Sequence, residues 1–255
     1  MTVARTIYEP PPRAWCLGRI RIARTGAADE LVPWEVSQAD IDDEAAALVP
    51  VLQRLGLHDT SHVDPEVTAA EDDVRPLLLI VSMLSETLHS YPFETAAGKL
   101  GALYSSADSS RFDSFRTAAL IGYLHPQVVW GINTAVVEGL TQEFGRDLAT
   151  VFGAVPGAVV TTDDGAFDAL TAAGVQPWRS RAVGATTMIE DAAGSGRLRY
   201  DPDRWRVEVD ADDSDPDGTG SLLLSNVAPR LTPSDRVPTG IRGHVPEPGT
   251  VVLSL

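Results

Sequence analysis

The run Pro76-Leu-Leu-Leu-Ile-Val-Ser-Met-Leu84 is bulky and apolar almost throughout and is bounded by charged residues. A strand with one wet face alternates apolar and polar positions, so a run without alternation is a strand buried on both faces. Such strands belong to parallel sheets covered by helices. The flanking pattern agrees. Ile41–Leu57 repeats its apolar residues at helical spacing, with Asp40 as the expected N-cap and Gly56 as the stop. Tyr91–Leu100 reads as a helix, Ala102–Ser106 as a short strand and Arg111–Leu124 as a helix. Gln127–Ile132 reads as a strand, and a helix is expected from Thr134 to Phe144. Strands are expected at Thr150–Ala154 and Ala158–Thr161, then a helix from Asp163-Asp164 to Gly174. Strands alternating with helices give an α/β class with a mainly parallel sheet flanked by helices, over residues 1–182.

After residue 182 the pattern changes. Arg197–Tyr200, Trp205–Val209, Ser221–Ser225 and Thr250–Leu253 are short strands separated by Asp, Pro and Gly turns, so 183–255 is expected to be a β-rich antiparallel subdomain. The acidic stretch Ala211–Gly220 lacks a calcium loop's final glutamate and reads as a solvated hairpin tip.

Composition excludes several functions. Thirty-six acidic against 20 basic residues leave a net charge of −16, which repels nucleic acid and anionic membrane surfaces. There is no apolar run long enough to span a bilayer, and the amino terminus has no secretion signal, so a cytoplasmic location is expected. The lone Cys16 cannot form an internal disulfide or a metal cluster, and it reads as a small apolar residue. His58 and His62 are spaced by four but fall beyond the helix stop, and no metal is expected there.

Three motifs in order then carry a resemblance. Ala23-Arg-Thr-Gly-Ala-Ala-Asp-Glu30, with Ser37 and Asp40 downstream, resembles the phosphate loop of the adenylate-forming superfamily of acyl- and aryl-CoA synthetases and peptide-synthetase adenylation domains. It is most similar to the phenylacetate-CoA ligase branch, whose loop reads Ala-Ser-Ser-Gly-Thr-Thr-Gly-Lys. Val183-Gly-Ala-Thr-Thr187 resembles the family's Tyr-Gly-x-Thr-Glu motif, and Arg236-Val-Pro-Thr-Gly-Ile-Arg-Gly243 its Arg-Tyr-x-Thr-Gly-Asp-x-Gly motif.

The resemblance implies the core of the family's N-terminal domain, and each motif departs from the family at its functional residue. Gly26 is kept. Ala27 and Ala28 replace the two threonines, Asp29 the glycine and Glu30 the lysine, so the loop would repel a triphosphate instead of cradling it. Val183 replaces the aromatic residue that packs on adenine, and Thr187 the glutamate that helps to hold magnesium, a hard cation that favours charged oxygens. Ile241 replaces the aspartate that grips the ribose, close to Arg236. The chain begins shortly before the loop and stops at Leu255, so the resemblance also implies that the preceding segment and the mobile C-terminal domain with its catalytic lysine are absent. Lys99, the sole lysine, reads as a solvated helix residue.

What remains is an acyl pocket. The resemblance places one wall of it near His89, Tyr91 and Phe93, with Trp130 on a middle strand. His89 titrates near neutrality and Arg111 follows a hydroxyl-rich segment, which makes them the candidate catalytic pair; Ser105–Arg111 equally reads as a helix cap. Two functions are expected. The first is a degenerate homologue that has lost ATP and magnesium binding, needs no cofactor and binds a small acyl or aryl ligand or a protein partner. The second is a repurposed enzyme that uses the old acyl pocket without nucleotide. Homo-oligomerisation and completion in trans by another chain are both open.

Overall fold

The computed structural model describes residues 5–7, 16–23, 31–57, 76–82, 87–183, 186–231 and 233–254. In chain order its elements are β1 (Arg5–Ile7), β2 (Cys16–Ala23), β3 (Leu31–Ser37), α1 (Gln38–Arg54), β4 (Leu77–Ser82), α2 (Thr87–Lys99) and β5 (Leu103–Asp108). A 3₁₀ turn (Arg111–Asp113) leads into α3 (Ser114–Leu124), followed by β6 (Val128–Ile132), α4 (Thr134–Glu138), a π turn (Gly139–Glu143) and α5 (Leu148–Phe152). Then come β7 (Ala158–Thr161), α6 (Asp164–Ala172), β8 (Trp178–Val183), β9 (Thr186–Glu190), β10 (Arg197–Arg199), β11 (Trp205–Ser214), β12 (Gly220–Asn226), β13 (Val237–Glu247) and β14 (Thr250–Leu253).

The chain divides into two compact units. One comprises Asp42–Leu84 and His89–Trp178; the other comprises Met1–Ile41, Ser85–Leu88 and Arg179–Leu255. The first is the α/β unit. Its strands lie in the order β5-β4-β6-β7 and all pair in parallel. The run that anchored the sequence reading is β4, in the middle of this sheet, with Leu77–Val81 all buried. Leu79, Val81, Val129 and Val159 on the strands pack with Ile121, Val136, Leu140, Phe152 and Leu170 from the helices into one core. Between β6 and β7 the register shifts at Gly131, whose φ is +99°. A Cβ at Gly131 would lie 2.0 Å from the Val81 carbonyl oxygen, so no other residue fits this bulge.

The second unit is antiparallel. It holds the sheet β1-β2-β3 and strands in the order β8-β9-β10-β14-β13-β12-β11, all paired antiparallel; this is the pairing expected of the strands after residue 183, whereas β1–β3 fall in the stretch read as part of the α/β core. Leu198, Trp205, Val207, Leu222, Leu223, Leu224 and Val251 are buried along these strands, and on β11 exposed Arg206 stands between buried Trp205 and Val207.

Three local expectations are corrected. Thr150–Ala154 is not a strand: α5 covers Leu148–Phe152, because the Asp147 carboxylate accepts the Thr150 N–H (2.9 Å) and caps the helix. The helix from Thr134 to Phe144 is broken, with α4 passing into a π turn at Gly139. There a Cβ would lie 2.3 Å from the Arg111 carbonyl, which explains the glycine. Finally, Asp40 is not the N-cap of α1. Ser37 holds that place, its Oγ accepting the Asp40 N–H (3.2 Å) while the Asp40 carboxylate accepts the Ser37 N–H (2.9 Å), a reciprocal capping box.

Candidate functional site

In the α/β unit, polar side chains gather at the carboxyl ends of the parallel strands, where open α/β sheets hold their ligands. Asp163, just after β7, is the hub. Its Oδ1 accepts the Thr134 hydroxyl (2.6 Å) and the Ala166 N–H (2.8 Å), and its Oδ2 accepts the Thr134 N–H (2.8 Å). One carboxylate therefore serves the N-termini of both α4 and α6. Asn133 at the end of β6 caps α4 by accepting the Val136 N–H (3.0 Å). At the end of β5 the Asp108 carboxylate accepts the Ser110 N–H (3.0 Å), and Asp113 accepts the Asp108 N–H (3.2 Å). These groups are committed to holding backbone, but the helix cap expected of Ser105–Arg111 is not formed: neither Ser110 before the 3₁₀ turn nor Asp113 before α3 makes a side-chain cap bond. The sequence carried a signal for Asp163, an Asp-Asp pair before a helical pattern; its reach to Thr134 depends on the parallel pairing of β6 with β7.

Of the candidate acyl-pocket residues, Phe93 and Trp130 come together. Their ring centroids lie 4.7 Å apart at a tilt of 58°, and both are buried. Tyr91 lies two residues before Phe93 on α2, a spacing that does not bring two side chains to one helix face, and is half-buried. His89 lies on α2, and its side chain is outside the described residues. Arg111 is engaged: its Nε lies 2.6 Å from Glu143, its Nη1 3.7 Å from Glu138, and its Nη2 donates to Gln142 (3.2 Å). Lys99 is exposed at the end of α2.

In the antiparallel unit the third motif has a distinct shape. Ser221 pairs with Arg242 and Leu223 with Pro238, so Thr239, Gly240 and Ile241 of β13 stand opposite Leu222 alone. The bulge is closed from within. The Thr239 hydroxyl donates to the Leu222 carbonyl (2.8 Å), and the Ile241 N–H donates to Thr239 Oγ1 (3.1 Å). Bulges of this kind take residues off the ladder and are common beside active sites. Ile241, half-buried, stands where the resemblance places the ribose-binding aspartate. Arg236 precedes the bulge at φ +50°, its N–H held by Ser225 Oγ (2.8 Å) and its exposed guanidinium 3.8 Å from Glu208 and 3.9 Å from Asp210.

The second motif forms the β8–β9 hairpin, where Val183 pairs with Thr186 and Ala182 with half-buried Thr187. The side chain of Val183, like Gly26, Ala27, Ala28, Asp29 and Glu30 of the first motif, lies outside the described residues. Among the described residues no group of three or more His, Cys, Asp or Glu side chains is arranged to hold a metal ion. No described helix is long and apolar enough to cross a membrane.

One feature of this unit was not foreseen from the sequence. Glu190, fully buried at the end of β9, pairs with Arg179 (3.0 Å) and also accepts the N–H groups of Arg179 (2.8 Å), Gly194 (3.0 Å) and Gly196 (2.8 Å). It pins the turn after β9, and no short motif announces it.

No protein-family model matches the sequence, and no curated protein is significantly similar to it. Solved structures are similar in fold. A 2-hydroxyisobutyryl-CoA ligase, determined with 2-HIB-AMP and CoA, superposes with a TM-score of 0.60 at 14% identity over 87% of this chain and 50% of the ligase. The N-terminal domain of FACL13 from Mycobacterium tuberculosis matches 97% of this chain and 63% of its own length at 14% identity (TM-score 0.53). The N-terminal subdomain of Klebsiella oxytoca NpsA matches 94% and 62% at 13% identity (TM-score 0.54). The fold is that of the N-terminal region of adenylate-forming enzymes, a mixed α/β arrangement with parallel and antiparallel strands. The chain spans about half the length of the ligase. At this identity the likeness establishes the fold alone.

Proposed function

We propose that this chain is a degenerate adenylate-forming-enzyme homologue that does not activate acids with ATP and acts as a binding protein for a small acyl or aryl ligand or for a protein partner. The observation that carries the reading is the β13 bulge. Its backbone is shaped and closed by Thr239 in the manner of a built site, yet it carries Ile241, whose side chain has no hydrogen-bonding atom. A ribose seated there would leave hydroxyls without partners, at about 1–3 kcal/mol each. Thr187 in place of a magnesium-binding carboxylate, and Asp29 and Glu30 in a loop meant for phosphate, point the same way. The three changes concern three separate contacts with one nucleotide, so loss of that nucleotide accounts for all of them together.

The test is pyrophosphate exchange with a panel of aliphatic and aromatic acids, run alongside a thermal-shift screen of ATP, AMP, coenzyme A and the same acids. The expected outcome is no exchange and no stabilisation by ATP, with a ligand recognised by its rise in melting temperature. ATP- and acid-dependent exchange overturns the reading.

A further inference from the structure

We propose that the groove between α3 and α5 binds a small carboxylate with an apolar body, gripped at its charged end by Arg146. The groove holds about 240 Å³. Its apolar lining comes from Phe115, Ala118, Ala119 and Gly122 on one side and Val151 and Ala154 on the other, and its two polar lining residues are Arg146 and Thr150. Thr150 is committed: its hydroxyl donates to Asp147 (2.6 Å), which also accepts its N–H (2.9 Å). Arg146 is not. Arg111, Arg179, Arg197, Arg204, Arg236 and Arg242 each pair with a carboxylate, as expected where 36 acidic residues face 20 basic ones. Among the described residues Arg146 pairs with none, and its guanidinium instead lies 5.5 Å over the Phe115 ring. An apolar cleft with one uncancelled cation asks for an occupant that is mostly hydrocarbon and carries one negative group.

The cation is also held in place. The Arg146 N–H donates to the Leu140 carbonyl (2.8 Å), and Gly145 before it takes a left-handed φ of +57°. The Phe115 ring beneath the guanidinium in turn meets Phe144, with centroids 5.5 Å apart. A guanidinium fixed in this way loses little freedom on meeting a ligand, and its planar fork offers a carboxylate two parallel N–H bonds. Size selects the occupant. The volume lies just under the roughly 300 Å³ at which ligand pockets begin, which suits a single ring or a chain of a few carbons and not a helix of a partner protein. The net charge of −16 repels anions at a distance, but at physiological salt that repulsion is screened within about 8 Å, so at contact the guanidinium decides. None of the lining residues belongs to the Phe93–Trp130 pair or to the three sequence motifs. The inference deepens the reading of the chain as a binding protein and rests on it for the class of ligand.

Titration of the isotopically labelled full chain with benzoate, hexanoate and benzamide tests this, read by NMR at the backbone N–H groups of Gly122, Arg146 and Val151. The expected result is saturable shifts at these groups with both acids, at dissociation constants of about 1 mM or below, and binding of uncharged benzamide at least about tenfold weaker. Arg146→Gln should raise the constants for both acids at least about tenfold, and added sodium chloride should weaken acid binding to the parent chain. Ala119→Leu, which fills the groove, should abolish binding of acids and amide alike. Both substituted positions are exposed, so the far-ultraviolet circular dichroism spectrum should not change. No shift with either acid overturns the proposal, as does equal affinity for benzamide or binding indifferent to Arg146→Gln or Ala119→Leu. An acidic apolar peptide that moves the groove signals where both small acids fail also overturns it, in favour of a protein partner. An acid that raises the melting temperature while shifting only residues outside the groove sinks the groove and leaves the binding reading standing, whereas pyrophosphate exchange sinks that reading alone.

Discussion

Each unit is organised around one carboxylate, and the two solve the same problem differently. In the α/β unit Asp163 accepts three hydrogen bonds at the ends of β6 and β7, all from neutral donors supplied by helix N-termini and a threonine. In the antiparallel unit Glu190 accepts four, one of them from the Arg179 guanidinium, and is fully buried. Parallel sheets are followed by helices, whose first turns bring unpaired N–H groups to the strand ends, so a half-buried carboxylate there finds donors close by. An antiparallel hairpin supplies few. A carboxylate buried at its end needs a cation and the turn's own backbone to offset desolvation. The α/β unit thus holds its strand ends with helix caps, and the antiparallel unit with a buried charge pair.

The comparison ranks the expected losses. Glu190→Ala should cost the most, about 3–5 kcal/mol, because it removes the carboxylate that pairs with a buried guanidinium and accepts three backbone N–H groups. A urea unfolding midpoint measures it, and a cost no greater than that of losing Asp163 would mean that water reaches the Arg179 site and the contrast fails. Asp163→Ala should cost about 2 kcal/mol, with Asp163→Asn recovering part of it because asparagine also caps helices. An Asn variant as damaged as the Ala variant would show that the negative charge, and not the cap, holds α4 and α6.

The smallest effect lies on the surface of the antiparallel unit. The hydroxyl of Thr250 and the guanidinium of Arg199 beside Glu247 hold its carboxyl below the ordinary value of 4.5. Asp191 is also held below its ordinary 3.8; desolvation opposes this, and the Ser195 hydroxyl with Arg199 and Arg197 overcomes it. A carboxylate lowered in the fold contributes stability above its unfolded value and loses it as pH falls through the folded one. Glu247→Gln should therefore lower the unfolding midpoint slightly at neutral pH and match the parent chain once pH is well below 4.5. A difference that persists in acid would assign the effect to packing.

The chain itself determined the parallel sheet. The unalternating run at β4, the β-branched residues of β6 and β7 and the Asp-Asp pair before α6 are local signals, and local signals survive because burial on both faces leaves no room for polar alternation. The Thr-Gly-Ile segment of the third motif was likewise visible as a departure from a pattern. Tertiary structure decided the rest. Thr150, Val151 and Phe152 favour a strand by composition, yet Asp147 caps them into a helix and Phe152 is buried in the core. Asp163 reaches Thr134 across 29 positions, and Glu190 meets Arg179 across 11. The bulge at Ile241 exists only because three residues of β13 oppose one of β12. Residue type and spacing fix what a segment can bury, whereas the partner of a charge or the register of a strand depends on which distant segment arrives beside it.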